Sequence, residues 1–114
     1  MGGRGGLAAR LNRGAVHLCR FERPDKLRPV LILTRDAAVG HLSTVTVAPI
    51  TSTIRDVPSE VVLDIEDGMK GACAVNLHNA VTISQDRLGK RVASLNNLRM
   101  KQVCAALRFC LGCE

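Results

Sequence analysis

Two short apolar segments, each bordered by polar residues, constrain the fold of this chain more than any other feature of its sequence. Residues 28–33 read Arg-Pro-Val-Leu-Ile-Leu, and residues 45–53 read Val-Thr-Val-Ala-Pro-Ile-Thr-Ser-Thr. Apolar runs of this length are typical of buried β-strands. Pro29 suits the first position of a strand and favours extended backbone at Arg28. The two strands would therefore bring a guanidinium and a group of hydroxyls to one margin of a sheet.

Short apolar or alternating runs predict further strands along the chain. Together with the two segments above, they predict strands at residues 15–21, 29–34, 44–50, 57–65, 72–77, 80–83 and 91–95. This spacing favours a compact, curled antiparallel sheet. A helical period occurs only near the end of the chain, with Ser94 as the expected N-cap and Gly112 as the end. Its apolar face contains Met100, Val103, Leu107, Cys110 and Leu111. The predicted fold class is mainly β with a C-terminal helix (α+β).

Length and composition indicate one domain in a reducing compartment. The chain has 114 residues, 46% of them hydrophobic, which suffices for one core. We expect a flexible Gly/Arg-rich leader at residues 1–13 and a single domain at residues 14–114. The leader lacks the apolar stretch of a secretory signal, and no run of roughly eighteen apolar residues predicts a membrane span. Five cysteines without a signal peptide are typical of free thiols. A cytoplasmic protein is expected.

The close cysteine pair, Cys110 and Cys113, does not predict a metal site. Zinc needs two more ligands, and the sequence offers neither a second cysteine pair nor a paired histidine. A redox role is not indicated either, because the pair lies at the chain end and not at the start of a helix, where a thiolate is stabilised. We expect no metal and no cofactor.

The formal charge of +6 indicates an anionic partner. Without the leader residues Arg4, Arg10 and Arg13 the charge falls to +3, and half of the acidic residues lie within residues 56–67. This separation leaves the remaining surface more positive, as a nucleic-acid groove requires. A solvated acidic loop explains the pattern equally well. The candidate groove charges, each of which also suits a solvated surface, are Arg20, Arg23, Lys26 and Arg55.

A guanidinium beside a hydroxyl suits a phosphodiester. Arg28 can bind phosphate oxygens bidentately at any cellular pH, and Thr51 can donate to a third oxygen or orient the attacking group. In RNA the 2′-OH is an internal nucleophile, so the site needs only to align it and to stabilise the charge of the transition state. The local alternatives are a surface ion pair of Arg28 with Asp25 or Glu22 and a simple turn hydroxyl at Thr51.

A wider resemblance covers about residues 13–112. It is carried by Arg-Gly-Ala-Val at residues 13–16, the two segments above, residues 57–61, Thr-Ile and Asp-Arg-Leu within residues 82–88, and Ala-Leu…Leu-Gly at residues 106–112. In this order and spacing these segments resemble the MazF/PemK family of toxin endoribonucleases. The resemblance implies a small SH3-like curled barrel of the MazF/CcdB toxin type. It also implies a type II toxin that dimerises, cleaves single-stranded RNA without a metal to inhibit translation and growth, and is inhibited by a cognate antitoxin. The family's catalytic arginine falls on Arg28, and its catalytic threonine falls on Thr51.

The chain departs from the family mainly where RNA would be read. The first loop is short, His17 and Cys19 replace aromatic residues of the first strand, and the chain has no Trp or Tyr, so base stacking is limited. Asn79 can still read a base edge, and His78 can add a general acid or base. The predicted RNA-binding residues are Ser52, Thr53, Arg55, Asn79, Arg20, Arg23, Lys26 and His78.

Two other functions remain open alongside the nuclease. CcdB-like toxins use the same small barrel to inhibit DNA gyrase without nuclease activity, and a nonenzymatic relative would bind RNA without cutting it. The Arg-Pro and Pro-Ile-Thr segments favour a nuclease, because a gyrase inhibitor does not need them. The expected partners are messenger, transfer or ribosomal RNA, a second copy of the chain, and an antitoxin with an extended acidic segment; no membrane is expected.

Overall fold

The computed structural model describes residues 11–21, 27–36 and 43–113 of the chain. Within these ranges seven strands precede one α-helix. They are β1 (Ala15–Arg20), β2 (Leu27–Ile32), β3 (Thr44–Thr51), β4 (Glu60–Leu63), β5 (Cys73–Asn76), β6 (Val81–Ser84), β7 (Leu88–Ser94) and α1 (Asn97–Leu111). Short 3-10 helices lie at Ile65–Asp67, Leu77–Asn79 and Gln85–Arg87. The predicted class, mainly β with a C-terminal helix, is confirmed.

The strands pair antiparallel in the order β4-β5-β3-β2-β1-β7, and β6 pairs with β3. β3 occupies the centre: one edge pairs with β2, and the other pairs first with β6 and then with β5. Among the described residues no ladder joins β4 to β7, so the sheet curls but does not close. The expected barrel is therefore correct only as a curled, open sheet. β4, the strand at one edge, has four residues, and α1 packs beside it.

Both faces of the sheet are apolar. Along β2, Leu31 belongs to one buried cluster, whereas Val30 and Ile32 belong to the other, since side chains alternate between the faces of a strand. The first cluster is covered by α1 through Val103 and Ala106. The second cluster contains Leu11, Ala15, Cys19, Val30, Ile32, Val45, Val47 and Leu88. Burial on both faces explains why the apolar run in β2 is continuous.

The boundaries of α1 differ from the expectation at one end only. Its N-cap is Asn96, whose side-chain oxygen accepts the N–H of Arg99 at 2.8 Å. The assignment of Ser94 as N-cap was wrong, because β7 continues to Ser94, which pairs with Ala15. The helix ends before Gly112, which has a φ of +70°. None of the described helices is long and apolar enough to cross a bilayer.

The apolar face of α1 is also shorter than predicted. Val103 and Ala106 are buried, and Met100, Leu107 and Cys110 pack partly against the first cluster. Leu111, expected on the same face, is 71% exposed. It is the last residue of the helix, directly before Gly112.

Residues 11–13, assigned to the leader from the sequence, pack against the domain. Leu11 is buried in the second cluster. Arg13 donates from its guanidinium to the carbonyl of Leu33 at 2.8 Å and to the sulfur of Cys104 at 3.2 Å, and its backbone N–H donates to Asp36. The rest of the predicted leader, residues 1–10, lies outside the described residues.

Candidate active site

The register of β2 and β3 brings the two candidate catalytic residues together. Val30 pairs with Pro49, and Leu31 pairs with Ala48. Continuing this antiparallel register two residues beyond Val30 places Arg28 opposite Thr51. Residues directly opposite each other on neighbouring strands have Cβ atoms about 5 Å apart. The continued register therefore puts Arg28 and Thr51 at the same end of these two strands.

On the other side of Arg28, β1 supplies a buried thiol. Cys19 pairs with Arg28 and is fully buried, whereas the side chain of Arg28 is exposed at the rim of the second cluster. Burial raises the pKa of the Cys19 thiol, although the positive charges of Arg87 and Arg20 oppose this shift. A thiol with a raised pKa is a poor nucleophile at neutral pH. Cys19 therefore packs as an apolar side chain of the second cluster, on the strand next to Arg28.

The charge of Arg28 is not neutralised within the described residues. There, Arg28 forms no salt bridge, and the ion pairs are those of Arg99 with Asp64 and Asp67. Asp25 and Glu22, the alternative partners considered from the sequence, lie outside the described ranges. An exposed guanidinium that points to solvent beside a hydroxyl is suited to binding a phosphate.

Thr51 is half-buried at the end of β3, and its hydroxyl has a backbone partner. Its Oγ1 accepts the N–H of Thr53 at 3.1 Å. A hydroxyl has one hydrogen to donate and two lone pairs, so this bond orients the oxygen and leaves the hydrogen available. The turn role considered for Thr51 is therefore present, and it is compatible with donation to a phosphate oxygen.

Residues 52–57, called here the 52–57 segment, follow Thr51 and are exposed. They carry three of the predicted RNA-binding residues: Ser52, Thr53 and Arg55. Asp56 has a φ of +58°, in the left-handed region. One carboxylate oxygen of Glu60 accepts the backbone N–H groups of Arg55 at 3.0 Å and of Asp56 at 3.2 Å. Glu60 is not among the site residues predicted from the sequence, because no local pattern indicates which amides its side chain reaches.

The other predicted RNA-binding residues are spread over a wider surface. Arg20 is exposed. It pairs with Leu27, the residue next to Arg28, just as Cys19 pairs with Arg28 itself. His78 and Asn79 are exposed in the Leu77–Asn79 helix, which joins β5 to β6 beside the middle of β3. That position lies roughly 10 Å along β3 from Thr51. Arg23 and Lys26 lie outside the described residues.

Arg87 is a neighbouring charge that is not among the RNA-binding residues predicted from the sequence. Leu88, the first residue of β7, pairs with Cys19, so Arg87, the last residue of the preceding 3-10 helix, lies near the level of Arg20. The effect of both arginines on the Cys19 thiol is consistent with this placement. The only sequence signal for Arg87 was its place in the Asp-Arg-Leu segment.

The described histidines do not form a catalytic pair. His17 is 2% exposed, and its Nδ1 donates to the carbonyl of Gly89 at 2.9 Å, whereas its Nε2 has no partner within the described residues. His78 is exposed on another part of the sheet, and His41 lies outside the described ranges. Among the described residues no group of three or more His, Cys, Asp or Glu side chains is placed to hold a metal.

Known proteins share this fold and much of this sequence. "Probable endoribonuclease MazF5" of Mycobacterium tuberculosis is 39% identical over 103 residues, which cover 90% of this chain and 94% of the relative. "Endoribonuclease MazF3" of the same organism is 45% identical over 80 residues, or 70% and 75% of the two chains. The solved structure "Mycobacterium tuberculosis toxin MazF-mt6" has a TM-score of 0.81 at 34% identity, covering 88% of this chain and 98% of that chain.

A second solved structure, "Endoribonuclease in complex with its cognate antitoxin from Mycobacterial species", also has a TM-score of 0.81, at 28% identity over 91% of this chain and 97% of that chain. The family described as "PemK-like, MazF-like toxin of type II toxin-antitoxin system" matches residues 12–111. That match spans nearly the whole chain, including both strands of the candidate site. The chain belongs to the PemK-like, MazF-like toxin family of type II toxin–antitoxin systems.

Proposed function

We propose that this chain is a toxin endoribonuclease that cleaves single-stranded RNA without a metal and thereby inhibits translation and growth. The observation that carries the proposal is the pairing of Val30 with Pro49, because continuing this register sets Arg28, which is exposed, opposite Thr51. Relatives that are named endoribonucleases support RNA as the substrate. The exposed position of Arg28 supports binding of an extended RNA strand.

In the proposed reaction the 2′-hydroxyl of a ribose gives its proton to solvent water as its oxygen attacks the adjacent phosphorus. The bond from phosphorus to the 5′-oxygen of the next nucleotide breaks, and that oxygen takes up a proton from solvent water. The products are a 2′,3′-cyclic phosphate and a 5′-hydroxyl. Arg28 stabilises the negative charge that develops on the non-bridging oxygens. A guanidinium does not give up a proton at cellular pH, so Arg28 acts electrostatically and not as a general acid. Thr51 donates its hydroxyl hydrogen to a phosphate oxygen while the Thr53 N–H holds its oxygen in place.

The flanking nucleotides would bind along the neighbouring polar surface. Ser52, Thr53 and Arg55 would bind the phosphates next to the cleaved one, with Arg20, Arg23 and Lys26 adding charge. Asn79 and His78 would read bases farther along the strand. Because the chain lacks Trp and Tyr, base selection would depend on hydrogen bonds more than on stacking.

The proposed partners are a second copy of the chain and an antitoxin, with the complex in the cytoplasm. A groove of about 490 Å³ lies between β4 and α1 and is lined by Val62 and Phe109, both partly exposed apolar residues that a homodimer would cover. The antitoxin would lay an extended acidic segment in the RNA groove, since carboxylates imitate phosphates for a guanidinium. One similar solved structure is an endoribonuclease with its cognate antitoxin.

Incubation with single-stranded RNA, with and without a chelator, tests the proposed reaction. We expect cleavage in both conditions and fragments that end in a 2′,3′-cyclic phosphate and a 5′-hydroxyl. Loss of cleavage in chelator would contradict the metal-independent mechanism. Binding without cleavage would support the nonenzymatic alternative, and inhibition of gyrase supercoiling without cleavage would support the CcdB-like one.

Two further measurements test the partners. Sedimentation at micromolar protein concentration should give twice the chain mass, and a strict monomer would exclude the proposed homodimer. Competition between RNA and the antitoxin should weaken as salt rises, because charges on an exposed surface are screened over about 10 Å at 0.1 M ionic strength. An antitoxin that binds equally well while RNA occupies the site would show that inhibition uses another surface.

A further inference from the structure

The carboxylate of Glu60 fastens the far end of the 52–57 segment. One oxygen accepts two backbone N–H groups, from Arg55 at 3.0 Å and from Asp56 at 3.2 Å. Hydrogen bonds to an ionised acceptor are stronger than those between neutral groups. The near end of the same segment is held by the Thr51 hydroxyl, which accepts the N–H of Thr53. Side-chain oxygens therefore hold both ends of a short exposed segment.

The backbone of the 52–57 segment requires such support. Asp56 has a φ of +58°, a conformation that costs energy for a residue with a Cβ and that Asp and Asn tolerate better than most. Conformations of this kind persist where surrounding contacts hold them. The bond from the Asp56 N–H to Glu60 is such a contact, because it fixes the peptide group on the strained side of the turn.

Glu60 is itself held firmly on the sheet. It pairs with Asn76 of β5, and its N–H donates to the carbonyl of Val57 at 3.0 Å. The same β5 strand pairs Ala74 with Thr51. Glu60 and Thr51 therefore belong to one hydrogen-bonded unit of three strands, β4, β5 and β3. A side chain that extends from this unit can set the position of the 52–57 segment relative to Thr51.

We propose that Glu60 is a positioning residue for RNA binding: it holds the 52–57 segment in the conformation that presents Ser52, Thr53 and Arg55 to the RNA backbone. This inference rests on the proposed endoribonuclease function, and it identifies a residue that fixes the conformation of the RNA-binding segment. The two amide hydrogens also partly offset a negative charge that would otherwise repel phosphates. Arg28 and Thr51 lie on strands, so loss of Glu60 weakens RNA binding more than it slows the chemical step.

The test compares Glu60→Ala with Glu60→Gln, which keeps an oxygen able to accept both N–H groups. The control is Glu66→Ala, which removes the same charge from an exposed residue of the Ile65–Asp67 helix. The substrate is a fluorescent single-stranded RNA that contains a cleavage site mapped for the wild-type chain. We measure KM and kcat, RNA binding by anisotropy, and hydrogen exchange of the Arg55 and Asp56 amides by NMR. Thermal unfolding checks that each variant folds. Sedimentation checks that each variant keeps the wild-type oligomeric state, because Glu60 also lines the groove between β4 and α1.

Glu60→Ala should raise KM and the RNA dissociation constant by roughly three- to tenfold, the range for losing one or two exposed hydrogen bonds, and should change kcat by less than about twofold. The amides of Arg55 and Asp56 should exchange faster. Glu60→Gln should restore most of both properties, and Glu66→Ala should behave like the wild type.

An unchanged KM in Glu60→Ala, a fall in kcat alone, or a Gln variant no better than the Ala variant would overturn the positioning role. Failure of the endoribonuclease proposal is seen separately, because the wild-type chain would then leave RNA uncut. In that case RNA anisotropy and amide exchange still decide the role of Glu60.

Discussion

The hydroxyl oxygen of Thr51 accepts the backbone N–H of Thr53 at 3.1 Å. The bond occupies a lone pair and leaves the hydroxyl hydrogen to donate elsewhere. Continuing the β2–β3 register from the Val30–Pro49 pair also sets Thr51 opposite Arg28. The contact that shapes the turn thus also positions the hydroxyl oxygen, which is compatible with the role proposed for Thr51.

Removing the Thr51 hydroxyl should abolish most of the activity and leave the fold intact. Thr51→Val keeps the shape of the side chain but cannot donate to a phosphate, so the single-turnover cleavage rate should fall roughly 10²- to 10³-fold. Thr51→Ser should keep most of the rate. The control is Thr46→Val, the same change on the same strand, where the hydroxyl bonds to Thr82 at 2.8 Å. Wild-type cleavage by Thr51→Val would remove Thr51 from the mechanism.

Substitution of Arg28 should act on the reaction and not on stability. Arg28→Ala should lower the cleavage rate at least about 10²-fold because charge on the transition state is no longer stabilised. Arg28→Lys should recover only part of the rate, since an ammonium lacks the planar fork. The free energy of unfolding should change by less than about 0.5 kcal/mol, as is usual when an exposed side chain is replaced. Arg108→Ala, an equivalent change on the exposed side of α1, should cleave normally; equal loss in both variants would argue against a site at Arg28.

The ion pair of Arg99 with Asp67 should make stability depend on acid pH. Nε of Arg99 donates to Asp67 at 3.0 Å. Burial alone would raise the pKa of the Asp67 carboxyl, but the hydrogen bonds from Arg99 and from the Asp64 N–H outweigh it, and the pKa falls below its usual 3.8. Because the pKa is lowered on folding, the pair stabilises the fold above the unfolded pKa, and this contribution is lost as pH falls through the folded pKa.

Arg99→Ala should therefore lower the free energy of unfolding by about 1–3 kcal/mol near neutral pH, and by much less near about pH 2. Urea denaturation at fixed protein concentration measures both values, since a dimer's stability depends on concentration. Gln102→Ala removes the uncharged side-chain partner of Arg99 and should show no such pH dependence. If Arg99→Ala lowered the free energy of unfolding equally at both pH values, the result would contradict the role assigned to Asp67.

The N-cap of α1 gives a direct stability test. Asn96→Ala removes the acceptor of the Arg99 N–H and should destabilise the fold by about 1 kcal/mol. Ser94→Ala, two residues earlier, alters an exposed strand residue and should change stability by less than about 0.5 kcal/mol. Thermal and urea unfolding compare the two variants. A larger effect for Ser94→Ala would mean that the helix begins earlier than the structure places it.

The difference between Ser94 and Asn96 illustrates the limit of local reasoning. Both residue types cap helices well, and both precede the apolar period of α1. The choice depends on where β7 ends. It ends at Ser94, which pairs with Ala15, the first residue of β1. Likewise, Leu111 fits the apolar period, but it is the last residue of α1 and is exposed.

By itself the sequence determined that the chain forms short strands followed by one helix, and that Arg28 and Thr51 stand at the polar ends of two buried strands. These properties follow from apolar runs, proline and capping residues, which act over a few positions. Only the tertiary structure decided that Val30 pairs with Pro49, a register that sets Arg28 opposite Thr51 when it is continued. It also decided that Glu60 reaches the amides of Arg55 and Asp56 and that the sheet stays open. Contacts of this kind depend on strand order and register, which come from the packing of distant segments and not from any local period.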